Sequence, residues 1–136
     1  MFKCTIPAVS SQLDFLIDSF EKYCGQHGLE GAPTTQLQMI LEETVSNIIN
    51  HGYPDDLSKG RIRVCTKVLA NKVLLTIIDD AIAFNPTEFS KPDTESSVED
   101  RQIGGLGLYL ISQLATSVCY RRLGKHNVLT ISKKLW

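Results

Sequence analysis

Basic residues are not in excess in this 136-residue chain: 14 Lys and Arg stand against 15 Asp and Glu, for a formal net charge of -1. A nucleic-acid-binding domain usually carries a basic surplus, so no direct contact with nucleic acid is expected. Long apolar runs are missing as well. The longest lies near Val73 to Ile78, far short of the ~20 residues that span a bilayer, so no membrane segment is expected. The first seven residues hold no long apolar stretch of the signal-peptide kind. The four cysteines, Cys4, Cys24, Cys65 and Cys119, show no C-x-x-C spacing, which argues against a zinc knuckle or a redox dithiol. Reduced, mostly buried thiols in a cytoplasmic protein are the expectation.

What is present suits one ordinary domain covering residues 1–136. Hydrophobic residues make up 43% of the chain and charged ones 21%. A chain of this length buries roughly 68% of its unfolded surface, enough for a core without disulfides or structural metal. Phe2 to Ile6 alternates and ends at Pro7, as a short strand does. A helix begins at Ser10 or Ser11 and stops near Gly25 or Gly28; its apolar residues Leu13, Leu16, Ile17 and Phe20 recur at helical spacing. A second runs from Pro33 to Gly52, with Leu37, Ile40, Leu41, Val45, Ile48 and Ile49 on one arc. Arg61 to Val68 alternates strictly, and Val73 to Ile78 reads as a more buried strand.

The character then changes. Between Pro86 and Asp100 lie two prolines and five acidic residues against the single Lys91, which reads as a long loop or lid over about 85–104. Gly104-Gly105-Leu106-Gly107 opens a helix over Leu108 to Leu114, and strands Ser117 to Arg122 and Val128 to Lys133 close the chain around a turn at Gly124 to Asn127. The order predicts an α+β two-layer sandwich: a mixed, mostly antiparallel sheet covered on one face by three helices.

Three positions carry chemistry. On the second helix Glu43 and Asn47 are one turn apart, and Asn47 lies within about 20° of Ile40 on the helical wheel, which partly buries its amide. A neutral amide oxygen suits a hard cation such as Mg²⁺ shared with phosphates, and a carboxylate one turn away can act as general base. The alternative is a structural hydrogen bond for Asn47 and a solvated Glu43. Asp79 stands where a buried strand leaves the sheet and can accept a hydrogen bond from a ligand's exocyclic amine; turn chemistry is the other reading. The glycines before the third helix can bring backbone N–H groups to phosphate or serve as a hinge.

Taken together, E-x-x-x-N on a helix, Asp79-Asp80-Ala81 at a strand exit, a long loop and Gly104-Gly105-Leu106-Gly107-Leu108 resemble the GHKL (Bergerat-fold) ATP-binding superfamily. Within it the chain is similar to the small anti-sigma factor serine/threonine kinases. The resemblance implies a Bergerat fold with ATP and Mg²⁺ as cofactors. It implies Glu43 as general base on an attacking hydroxyl, Asn47 as Mg²⁺ ligand and Asp79 as acceptor for the adenine amino group. Gly105 and Gly107, with Gly104, Leu106 and Leu108, would flank the phosphates. Ala81 and Phe84 would line the adenine end, and Asn50 and His51 would lie at the mouth. It further implies phosphorylation of an anti-anti-sigma (STAS) protein, a sigma factor as second partner, and a homodimer. Ala81 stands where the family usually has glycine, which favours a non-catalytic, ATP-gated binding module as the alternative.

Overall fold

The computed structural model describes residues 1–54, 60–88 and 105–135. Strand β1 (Phe2–Pro7) leads through a 3-10 turn into helices α1 (Leu13–Gln26) and α2 (Ala32–His51), then strands β2 (Arg61–Val68) and β3 (Lys72–Asp79). A second 3-10 turn at Pro86–Glu88, helix α3 (Gly105–Leu114) and the hairpin β4 (Ser117–Leu123) and β5 (His126–Lys134) complete it. The strands form one sheet in the order β1-β2-β3-β5-β4. Each of its four pairings is antiparallel, so the expected mixture of directions is absent among the described residues. The reason is topological. After α3 the chain reaches the outer edge at β4, and β5 folds back into the gap beside β3, so β3 and β4, which run the same way, never touch.

The core lies between the sheet and the helices. Phe20, Leu16, Leu37, Ile40, Leu41 and Val45 come from α1 and α2, and Ile6, Ile62, Val64, Leu75, Ile77 and Ile131 from the sheet; all are essentially inaccessible. Period-two alternation decides which strand residues face it. On β3 the inward set is Val73, Leu75, Ile77 and Asp79. The last member of an otherwise apolar row is therefore a carboxylate.

Helix ends account for most of the differences from expectation. Gly25 lies inside α1; the stop is Gly28, whose φ of 67° is the left-handed cap. Leu29 N–H donates to Cys24 C=O at 2.9 Å and Gly28 N–H to Gly25 C=O at 3.3 Å, the paired bonds of a Schellman ending. Helix α3 begins at Gly105, not after the glycines. Two glycines in a first turn cost about 1 kcal/mol each in propensity, so packing against α2 outweighs local preference there. The closing turn is only Gly124-Lys125, so Asn127, expected in the turn, is a strand residue opposite Asp79. The stretch read as a lid over 85–104, with Arg101 and Gly104, lies beyond Glu88 outside the described residues. Among the described residues no helix is long and apolar enough to cross a membrane.

The end of α2 is tied to the exit of β3. Tyr53 donates its hydroxyl to Asp80 Oδ1 at 2.6 Å, Arg61 N–H donates to the same oxygen at 3.0 Å, and Ile82 N–H donates to Gly52 C=O at 3.1 Å. Burial would raise the Asp80 carboxyl, but these hydrogen bonds prevail and hold it below its ordinary range; the same contact and burial push the Tyr53 phenol upward. A carboxyl lowered by folding stabilises above its unfolded value of about 3.9 and loses that contribution as pH falls through the lower folded value. Tyr53→Phe is therefore expected to cost about 1 kcal/mol in urea unfolding at pH 7, with the difference from wild type shrinking below about pH 4. An unchanged midpoint at pH 7 would contradict this tie.

Candidate nucleotide site

The inward row at one end of the sheet runs Ile6, Ile62, Asp79, Asn127, Arg122, each paired with the next across neighbouring strands. Asp79 is 4% and Asn127 6% exposed. Asp79 Oδ1 accepts hydrogen bonds from Asn127 Nδ2 at 2.9 Å and Ala81 N–H at 3.0 Å. Burial lifts its carboxyl above the ordinary range, against the pull of those two bonds and of nearby Arg122. Oδ2 has no hydrogen-bond partner among the described residues. A desolvated carboxyl with one oxygen committed and the other open suits a ligand N–H.

Asn127 is saturated. Its Nδ2 donates to Asp79 and to Ile82 C=O at 2.8 Å; its Oδ1 accepts from Tyr120 Oη at 2.6 Å and Phe84 N–H at 3.3 Å. It thus holds the carboxylate, the strand β4 and the 82–84 backbone in one network. Asn127 opens the closing Asn127–Lys133 run that belongs to the family resemblance, but the sequence marks neither it nor Tyr120 as part of the Asp79 network; for Asn127 the β3–β5 register, which puts it opposite Asp79, does so.

Ala81 fills space that Gly52 leaves. A Cβ placed on Gly52 would lie 2.6 Å from the Ala81 Cβ, so one methyl fits where two would not. Ala81 C=O accepts from Arg122 Nη1 at 2.9 Å.

These groups line a cavity of about 350 Å³, within the size range of small-molecule sites. Thr44, Asn47, Ile48, His51 and Gly52 line it from α2, Ile82, Phe84 and Pro86 from the segment after β3, Leu108 and Ile111 from α3, and Tyr120, Asn127 and Leu129 from the closing hairpin. The walls are mainly apolar and the polar groups few, as a flat heteroaromatic ligand requires. Of the residues singled out from the sequence, Asn47, Asp79, Ala81, Phe84 and Leu108 line the cavity, and His51 joins them. Asn50 does not: its amide turns outward to Ser46 Oγ at 3.3 Å, because it sits about 120° from Thr44 around the helix.

Glu43 stands beside the cavity, against α3. A Cβ on Gly107 would overlap Glu43 Oε2 and lie 3.6 Å from Asn47 Nδ2, so the missing side chain lets α3 close onto both. Asn47 Nδ2 is buried and has no hydrogen-bond partner among the described residues. Since amide oxygen and nitrogen exchange on a half-turn of the side chain, this position offers either a donor or an oxygen ligand. Among the described residues no group of three or more His, Cys, Asp or Glu could by itself hold a metal. A cation here would need oxygens from its ligand, as Mg²⁺ on a phosphate does; the donor set fits that ion. Gly105 is the first residue of α3, and Leu106 follows in its first turn.

A purine-sized apolar cleft with a carboxylate in its floor and an amide and a glycine-bearing helix start at its side is the arrangement of an ATP-binding domain. The chain belongs to the histidine kinase-like ATPase domain family, whose sequence profile matches residues 6–133. It is similar to the serine/threonine-protein kinase BtrW of Bordetella bronchiseptica, 28% identical over 96 residues, covering 71% of this chain and 67% of that protein. It is also similar to the serine-protein kinase RsbW of Staphylococcus aureus, 26% identical over 85 residues, covering 60% of this chain and 54% of the relative, about half its length. In fold it matches a crystal structure of the RsbU and RsbW domains of a Mycobacterium tuberculosis protein, with a TM-score of 0.66 and 16% identity over 98% of this chain and 32% of that one. A histidine kinase domain from Erythrobacter litoralis gives a TM-score of 0.54 at 15% identity, covering 96% and 62%.

Asn127→Leu keeps the branching of the side chain and removes all four hydrogen bonds that Asn127 makes. A loss of about 2–4 kcal/mol in urea unfolding is expected; a loss under about 0.5 kcal/mol would mean that the network holds nothing together.

Proposed function

We propose that the chain is a Mg-ATP-dependent serine/threonine protein kinase and anti-sigma regulatory factor that phosphorylates a STAS-type anti-anti-sigma partner. The observation that carries this reading is the close approach of Gly107 to α2, where a Cβ would overlap Glu43 Oε2 and lie 3.6 Å from Asn47 Nδ2, beside the cavity that Asp79 also lines. The kinase names of the two relatives support it.

In this reading the open Asp79 oxygen accepts an adenine amino N–H, and the purine lies between Ile48, Leu108, Ile111 and Leu129. Its phosphates extend toward the start of α3. Glu43 takes the proton from a partner's serine or threonine hydroxyl as that oxygen bonds to the γ-phosphorus and the bond to the β-phosphate oxygen breaks, releasing ADP. Asn47 would hold Mg²⁺, which supplies charge neutralisation on the phosphates when bound. Positioning provides most of the rate, as in other phosphoryl transfers. Strand β1 is an edge of the sheet among the described residues and is the proposed pairing surface for a homodimer; a sigma factor is the second proposed partner, and the cytoplasm the proposed site of action.

The alternative, a non-catalytic ATP-gated module that sequesters a sigma factor or other regulator, draws on Ala81 and on the acidic stretch within 85–104; the fit of the Ala81 methyl against Gly52 weakens the first of these motives.

Glu43→Gln is expected to lower phosphate transfer to the STAS partner by about 10² or more while ATP still binds, measured with γ-labelled ATP. Unchanged transfer would refute the base assignment, and ATP-responsive partner binding without transfer in the wild type would select the module. Asp79→Asn keeps an acceptor for Asn127 and Ala81 but removes the buried charge. A carboxyl raised by folding stabilises only below its unfolded value, about 3.9, and loses that as pH rises through the folded value. At pH 7 the asparagine variant is therefore expected to melt at or above the wild-type temperature, with ATP affinity down about 10- to 100-fold. Retained affinity would contradict the role of Asp79.

A further inference from the structure

Two residues that line the cavity each carry a buried polar atom with no hydrogen-bond partner among the described residues: Asn47 with its Nδ2, discussed above, and Thr44 with its hydroxyl. Thr44 is 7% exposed, and its Oγ1 is fully withdrawn from solvent. A helical threonine usually satisfies its hydroxyl on the carbonyl one turn back; here it does not. Orphan hydroxyls also occur at Thr34 and Thr66, but neither lines the cavity.

The placement on α2 separates two tasks. At about 100° per residue, Thr44, Ile48 and His51 fall within an arc of about 60°, while Glu43 is about 100° away from Thr44. The Glu43 side meets Gly107 of α3. The Thr44 stripe, one turn from Ile48, lines the same cavity as Asp79 and Asn127, where the base would lie. An unpaired buried hydroxyl loses its hydration with nothing in return, a cost that a ligand acceptor would offset.

We propose that Thr44 is a second base-recognition residue, donating its hydroxyl proton to a purine ring nitrogen that flanks the 6-amino group, N1 or N7. This rests on the adenine-binding reading above and deepens it. Asp79 accepts from the amino group and Thr44 donates to the ring. The pair then matches the alternation of donor and acceptor on a 6-aminopurine, whereas a 6-oxo purine would set its oxygen against the carboxylate.

The test is calorimetric titration of the full chain with ATP, 1-deaza-ATP and 7-deaza-ATP for wild type, Thr44→Val and Thr44→Ser, with thermal melting of each unliganded protein. Valine keeps the shape and removes the hydroxyl; serine keeps the hydroxyl. Expected are an ATP affinity about three- to tenfold weaker in Thr44→Val and near wild type in Thr44→Ser. One deaza analogue should weaken binding to wild type by a similar factor and leave Thr44→Val unaffected. The unliganded valine variant should melt no lower than wild type, which a merely structural role would not allow. Equal ATP affinity in wild type and Thr44→Val overturns the proposal and leaves the ATP reading standing. So does a deaza penalty that persists in the valine variant. A wild type that binds no adenine nucleotide overturns both.

Discussion

A carboxylate has been placed where the packing pattern calls for an apolar side chain, and the local structure is built around that cost. Asp79 continues the inward row of Val73, Leu75 and Ile77, and the 2.9 Å bond from Asn127 holds it in a fixed orientation. Burying an ionised group is unfavourable unless it is hydrogen-bonded, and Asn127 and Ala81 N–H satisfy only one of its two oxygens. Asn127 in turn accepts from Tyr120 and from the Phe84 backbone, so the orientation of the carboxylate, the closing hairpin and the segment after β3 are one cooperative unit. Groups whose ionisation is disfavoured by burial and which keep an open valence are the usual mark of a binding site.

The second constraint is the approach of two helices. Gly107 lets α3 settle on the Glu43 and Asn47 side of α2, and Lys133 reaches from β5 to donate to the Leu114 carbonyl at the other end of α3. The helix is thereby held at both ends. Its start is weak in intrinsic propensity and strong in contact, which is what a helix N-terminus needs if its backbone is to face a phosphate. The α2 residues divide between these neighbours: Glu43 toward α3, Thr44 and Ile48 toward the cavity that Asp79 lines, Asn47 between them.

Much of this was legible in the chain. Hydrophobic period marked helices α1 and α2 and strands β1 to β3, because each of these buries one face. The pairing of Glu43 with Asn47 followed from helical spacing, and Asp79 from its place at the end of an apolar run. What was not legible depends on register and on close approach. Asn127 looked like a turn residue until a two-residue turn at Gly124-Lys125 placed it across from Asp79. Asn50 looked like a site residue by proximity in sequence, yet its direction around the helix carries it to Ser46. The start of α3 was read three residues late, since glycine signals a break and only contact with α2 overrides it. Ala81 looked like a defect because the room left by Gly52, 29 positions earlier, is invisible in one dimension.

The central claim is that the Asp79 cavity and the Glu43–Asn47–Gly107 cluster form one Mg-ATP site. Calorimetric titration of the wild-type chain with Mg-ATP, repeated without Mg²⁺ and with Mg-GTP, tests it most directly. The account predicts one-site binding of ATP that weakens without the cation and is lost or much reduced with GTP. An absence of any adenine-nucleotide binding, or equal affinity for ATP and GTP, would contradict it.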